Sequence, residues 1–252
     1  MNLKGGRGIY PQFLLNYKEI VMARGYLAQV QKLIDEKFKD NPDGLKQKLK
    51  EIEEAKKAQL TGELIKKIEE CHFEDICIHK VKDLIKQGAD IKVKDSSKNT
   101  ILHIASYFGD IELAKECLQA GIDVNSKDSS GDSPLYWAVY RKNQNTTELT
   151  ELLISAGADV NAMNSSGETP LFWVSYESIA ELLISSGANV DVKDDDGNTP
   201  LHGIVCRDDV FLAEYLISAG VEANTNNKKG HSPLDWANSE EMKSLLKKHG
   251  AK

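Results

Sequence analysis

Cysteine is scarce in this sequence: four in 252 residues, unevenly spaced. That excludes the disulfide framework of a small secreted domain and leads us to expect a reducing, cytosol-like compartment. No uncharged run reaches the ~18 residues of a membrane span. The start MNLKGGRGIYPQ has no apolar stretch behind its basic residues, so neither a spanning helix nor a classical signal peptide is expected. Basic charge is lacking where the chain is longest. Residues 63–252 hold 20 Lys/Arg against 31 Asp/Glu, whereas residues 1–62 hold 12 against 8. An acidic body argues against a nucleic-acid partner, because phosphate binding needs clustered positive charge.

What is present is repetition. Five segments align: NTILHIASYFGD, DSPLYWAVYRKN, ETPLFWVSYES, NTPLHGIVCRDD and HSPLDWANSEE. Each opens on Ser or Thr, at Thr100, Ser133, Thr169, Thr199 and Ser232, with intervals of 33, 36, 30 and 33 residues. A second ladder, from QGADIKVKD to AGVEANTNN, runs in phase with glycines at 88, 121, 157, 187 and 220. The Ser/Thr suits a helix N-cap and the following Pro the first helical position, where its missing N–H is harmless. A second helix follows, as in LTELLISAG, and its Gly suits a left-handed C-cap. A Gly-containing turn such as SSG or DDG then reads as a hairpin-like crossing to the next unit. The 36-residue unit carries its extra length in RKNQNTTE, and the 30-residue unit lacks the turn between its helices.

Asp194–His202, read DDDGNTPLH, and Leu152–Asn161, read LLISAGADVN, carry a resemblance to the ankyrin repeat family. The resemblance covers residues 95–252 and extends loosely over 63–94. Departures are Ile101 in place of Pro, and Tyr136, Phe172 and Asp235 where His103 and His202 hold the motif's histidine. The implied fold is all-α: an ankyrin-repeat α-solenoid of helix–turn–helix units with β-hairpin-like connecting loops. Its units are 63–94, 95–127, 128–163, 164–193, 194–226 and a C-terminal cap, 227–252. Helical spacing over 11–39, the turn DNPDG with Asp43 available as an N-cap, and a stretch with Leu45, Leu49, Ile52, Leu60, Leu64, Ile65 and Ile68 predict a helical hairpin over 11–62. It follows a flexible start over 1–10. GGRG at 5–8 lacks the preceding strand and following Lys-Ser/Thr of a phosphate loop.

The resemblance implies non-catalytic recognition of another protein, of unknown identity, through the concave groove and the hairpin tips. Counted from each opening Ser/Thr, offset 4 carries Ile104, Trp137, Trp173, Gly203 and Trp236, read as core. Offset 7 carries Tyr107, Tyr140, Tyr176 and Cys206, and offset 8 carries Phe108, Arg141, Glu177 and Arg207. In this family these two offsets face the groove, and Tyr and Arg are favoured at interface hot spots. Tyr107, Phe108, Tyr140, Arg141, Tyr176, Glu177 and Arg207 are therefore the candidate contacts, with Ser129, Ser130, Asp195 and Asp196 among the rim turns. His103 and His202 are read as structural, bonding backbone between repeats. Cys71, His72, Cys77 and His79 cluster within nine positions, but C-H-x4-C-x-H matches no common zinc spacing, so a structural seam is expected.

No cofactor, metal, catalytic group, nucleic acid or membrane enters this reading, and the chain is expected to be a cytoplasmic monomer. An alternative is a secreted effector of an intracellular or symbiotic bacterium, or a phage-encoded one, delivered into a host cytosol by a non-classical route. The four arginines against 28 lysines, as in an AT-rich genome, support it. A third reading places an enzyme activity in residues 1–62, which hold little polar convergence for one.

Overall fold

The computed structural model describes residues 42–70, 76–140 and 146–251. The start over 1–10, the helix expected over 11–39, Cys71, His72, Arg141 and the side chain of Cys77 lie outside the described residues. The chain divides into two units, Met1–Lys57 and Ala58–Lys252. In the first, the opening turns of helix α1 (Pro42–Glu70) carry exposed Lys46–Asp43 and Lys48–Glu51 pairs at 3.3 and 2.8 Å. The helix begins on Pro42, so Asp43 falls inside the first turn rather than capping it; its charge suits the helix dipole there.

The second unit is built from paired helices. The last turns of α1 bury Leu60, Leu64 and Ile68 at four-residue spacing, whereas Ile52, expected on the same stripe, is exposed. Helix α2 (Ile76–Lys86) follows, then α3 (Ile101–Phe108) with α4 (Ile111–Gln119), and α5 (Pro134–Tyr140) with α6 (Thr146–Ser155). A 3-10 turn, Pro170–Trp173, pairs with α7 (Glu177–Ser185). Helices α8 (Pro200–Cys206) and α9 (Val210–Ser218), then α10 (Pro233–Trp236) and α11 (Glu240–Lys248), complete the series. Among the described residues there is no strand, only an isolated bridge between Lys94 and Thr100.

One continuous core follows from the repeat. Leu102, Leu135, Leu171 and Leu201 occupy the same register position and are fully buried. Second helices add Leu113, Ala114 and Cys117, then Leu149, Thr150 and Leu153, and so on along the stack. The small residue in each trio lets neighbouring helices approach closely. Thr150 is tolerated there because its hydroxyl donates to the Thr146 carbonyl at 2.7 Å.

The connecting loops project as fingers that bond to one another without forming a ladder. At each tip an Asp or Asn closes its own turn: Asp128 Oδ1 accepts from the N–H of Ser130 and Asp132, and Asp194 Oδ1 from those of Asp196 and Asn198. Successive fingers are tied by backbone bonds, Ser129 N–H to Ser97 O, Ser165 to Ser130, Asp195 to Ser166 and Lys228 to Asp196, at 2.8–2.9 Å. Gly131 combines a φ of 79° with a close approach, since a Cβ there would stand 2.8 Å from the Ser165 nitrogen.

Candidate protein-binding cleft

The first helices and the finger bases meet along one seam, and the tryptophans lie on it. Trp137, Trp173 and Trp236, expected as core, are only half-buried. The reason is polar: Trp137 Nε1–H donates to Asp128 Oδ2 and Trp173 Nε1–H to Glu168 Oε2, both at 3.1 Å. Each bond holds the indole N–H at the base of its finger, while the rings of Trp137 and Trp236 still pack against the core.

Tyrosine and tryptophan alternate along this seam. Tyr107 of α3 packs its ring on Trp137 of the next repeat, with centroids 5.7 Å apart and planes at 70°. Tyr140 of α5 does the same to Trp173, at 5.3 Å and 65°. Tyr136 stacks on Tyr140 and sends its hydroxyl to Glu168 Oε2 at 3.1 Å. A cleft of about 340 Å³ opens here, lined by Tyr107, Tyr136, Trp137, Tyr140 and Trp173 with Asp128, Ser130 and Asp132. A smaller one, about 230 Å³, lies beside it against Ile68, Glu69, Tyr107 and Phe108.

The cleft is acidic. Burial, with Asp128 and Glu168 nearby, pushes the Asp132 carboxyl up to about 6, although Asn164 Nδ2–H donates to it at 3.0 Å. Among the described residues no lysine or arginine forms a salt bridge with Asp128, Asp132 or Glu168.

The candidate contacts fare differently. Tyr140 stands 51% exposed over the cleft, while Tyr107 is 7% exposed and forms its wall. Phe108 is half-buried against Tyr107. Tyr176 and Glu177 are exposed but do not continue a first helix. Losing the inter-helix turn shortens that helix to the 3-10 turn, so Tyr176 becomes the N-cap of α7 and Glu177 its first residue. Arg207 is committed to the fold: its guanidinium donates to the carbonyls of Phe172 and Val174 and lies 5.7 Å from the Trp173 ring. Ser129, Ser130, Asp195 and Asp196 are exposed, their backbone groups holding the finger ties.

The motif histidines are structural. Thr100 N–H donates to His103 Nδ1 at 3.1 Å, so that nitrogen is unprotonated and Nε2–H donates to the Asp132 carbonyl at 3.1 Å. His202 repeats this with Thr199 and the His231 carbonyl. Burial holds both imidazoles below their ordinary pKa. Cys117 is buried, its thiol pushed up to about 12, which makes it inert. His79 is exposed on α2, and no three His, Cys, Asp or Glu groups among the described residues are arranged to hold a metal ion.

The family profile described as ankyrin repeats (3 copies) matches residues 74–164, 142–202 and 171–252. The chain belongs to the ankyrin repeat family. A comparison with curated proteins gave no match. Ankyrin repeats are in general protein–protein interaction modules and typically non-catalytic. No helix among the described residues is long and apolar enough to cross a membrane. In this ankyrin stack the core reading holds in part for Trp137, which packs on the core while lining the cleft, and not for Trp173; the residues that sequence reasoning passed over are Asp132, Tyr136 and Glu168. The available signal was a Tyr at offset 7 of one repeat followed by a Trp at offset 4 of the next, 30 or 33 residues on.

Proposed function

We propose that this ankyrin-repeat chain binds a partner protein, without catalysis, across its fingers and first helices, and that Tyr140 and the two cleft tryptophans are the centre of the contact. The observation that carries this reading is Tyr140, a large aromatic left 51% exposed on a pre-formed aromatic floor. A rigid ring of this kind loses little entropy on binding and buries a large area. Tyr107 and Phe108 would act as walls, and Ser129, Ser130, Asp195 and Asp196 as the polar rim; Tyr176, Glu177 and Arg141 would extend the surface. The chain acts as a monomer in a cytosol, which sedimentation and localisation of a tagged chain would check.

Partner capture by the full chain tests it. Tyr140→Ala is expected to weaken capture by ~2 kcal/mol, about thirtyfold in Kd. Unchanged affinity, with an unchanged helical circular dichroism spectrum, would remove Tyr140 from the interface.

A further inference from the structure

We propose that the cleft over Trp137 and Trp173 is a receptor for one cationic side chain, arginine or lysine, presented by the bound protein; this deepens the binding reading above and rests on it. Aromatic faces carry negative potential, and a cation within ~6 Å of a ring centroid is attracted to it. Five rings line this cleft together with two carboxylates, Asp128 and Asp132. Glu168 stands directly behind Trp173 and Tyr136, bonded to both.

The hydrogen bonds among the described residues leave two carboxylate oxygens at the cleft and behind it without a donor. Asp128 is filled, by two backbone N–H groups on Oδ1 and the Trp137 indole on Oδ2. Asp132 Oδ1 receives only Asn164, and Glu168 Oε2 receives Tyr136, Asn164 and Trp173. Among the described residues nothing donates to Asp132 Oδ2 or Glu168 Oε1. Burial first, and then the neighbouring Asp128 and Glu168, push the Asp132 carboxyl up to about 6.

Other occupants fit less well. An anion would be repelled by three carboxylates, and a neutral apolar side chain would desolvate them without return. The volume, about 340 Å³, is at the lower end for a ligand pocket (~300–1,000 Å³) and far exceeds a bare metal ion. The chain itself seats a guanidinium 5.7 Å from the Trp173 ring, but Arg207 donates to the Phe172 and Val174 carbonyls and, among the described residues, forms no salt bridge with these acids. The excess of acid over base across 63–252 would steer a basic segment toward the stack.

Three indole N–H signals make the test direct. The ¹⁵N-labelled full chain is titrated with n-butylguanidinium, n-butylammonium and the neutral isostere n-butylurea, with signals assigned by single Trp→Phe variants. The cations are expected to shift the Trp137 and Trp173 signals saturably while Trp236 stays in place, and butylurea to shift none of them. The tighter of the two cations assigns the side chain as arginine or lysine. Asp132→Asn with Glu168→Gln, which keeps one acceptor oxygen on each side chain for the bonds it receives but removes charge, is expected to weaken the cation about fivefold. Butylurea matching the cations, Trp236 moving in parallel, or an indifferent charge variant would each overturn the proposal. Cations that leave Trp137 and Trp173 unmoved overturn it even where Tyr140→Ala weakens partner capture. In that case the binding reading stands, and the partner presents something other than a cation.

Discussion

Arg207 donates one guanidinium N–H to the carbonyl of Phe172 at 3.0 Å and another to that of Val174 at 3.1 Å, reaching from the fifth repeat back to the shortened first helix of the fourth. Shortening that helix to four residues leaves carbonyls without intrahelical donors, and the guanidinium supplies them. Gly203 makes the room: an indole at that position, as at 137 and 173, would fill the space that the side chain crosses. Arg207→Ala is therefore expected to destabilise the chain by ~2 kcal/mol. Hydrogen exchange should rise first around 172–179, and Arg207→Lys should recover only part of the loss, since an ammonium cannot span both oxygens as the planar fork does. Urea denaturation with exchange mass spectrometry would measure both.

This seam needs Arg207 because its usual histidine bond is missing. Where His103 and His202 pair with the hydroxyl of the opening Thr, Phe172 cannot, and the Thr169 hydroxyl oxygen is buried without a hydrogen bond. Thr169→Val is expected to be neutral or stabilising by up to ~1 kcal/mol, because it removes an unsatisfied polar group. Thr199→Val should instead cost about 1–2 kcal/mol, because the Thr199 hydroxyl lies 3.0 Å from His202 Nδ1. Thermal midpoints of the two variants moving alike would contradict this account.

A second bond is missing at the same seam. Asn125, Asn161 and Asn224 each donate Nδ2–H to a glycine carbonyl one repeat on, at Gly157, Gly187 and Gly250. Asp191 holds the equivalent position and its side chain has no N–H; its Oδ1 only accepts, from Glu222 N–H at 3.3 Å. Asp191→Asn is expected to add a bond to the Gly220 carbonyl and stabilise by ~1 kcal/mol. A shift in the urea midpoint at unchanged slope checks it.

Two kinds of group set opposing pH dependences. Both motif imidazoles have folded pKa values below the unfolded ~6.5, so their contribution is full above that value and is lost as pH falls below it. Asp132 works the other way: its folded value, about 6, lies above the unfolded ~3.9, so its contribution is present below ~3.9 and lost as pH rises through about 6. A shift of this size would be ~3 kcal/mol for a fully buried group; half-exposed, Asp132 is screened to ~1 kcal/mol. Asp132→Asn should therefore be more stable than the parent at pH 7.5 by that amount and lose stability more steeply on acidification to pH 5. His202→Gln should flatten the acid loss. Denaturation midpoints across this range decide both.

Much of the fold was legible because the repeat states its chemistry in series. Thr199, Pro200, Leu201 and His202 declare a cap, a first turn, a core position and an inter-repeat bond in four consecutive residues. The shortened helix was visible as a 30-residue interval. The cleft was legible only in part. The Trp137 and Trp173 positions read as core alone, because apolar periodicity does not reveal an indole N–H with a carboxylate at the finger base. Arg207 read as a contact because its acceptors, the carbonyls of 172 and 174, become available only when a helix more than 30 residues earlier is truncated.

The sequence by itself determined the repeat register, the all-helical architecture and the membership that follows from it, since periodicity and local caps are properties of neighbouring residues. The tertiary structure decided which aromatics are wall and which are surface. Tyr107 and Tyr140 share one offset, yet one is 7% exposed and the other 51%. Both rings meet a tryptophan of the next repeat, Trp137 and Trp173, and Tyr107 has Phe108 packed on it as well; such packing is settled by neighbours in space, which an offset along the chain does not encode.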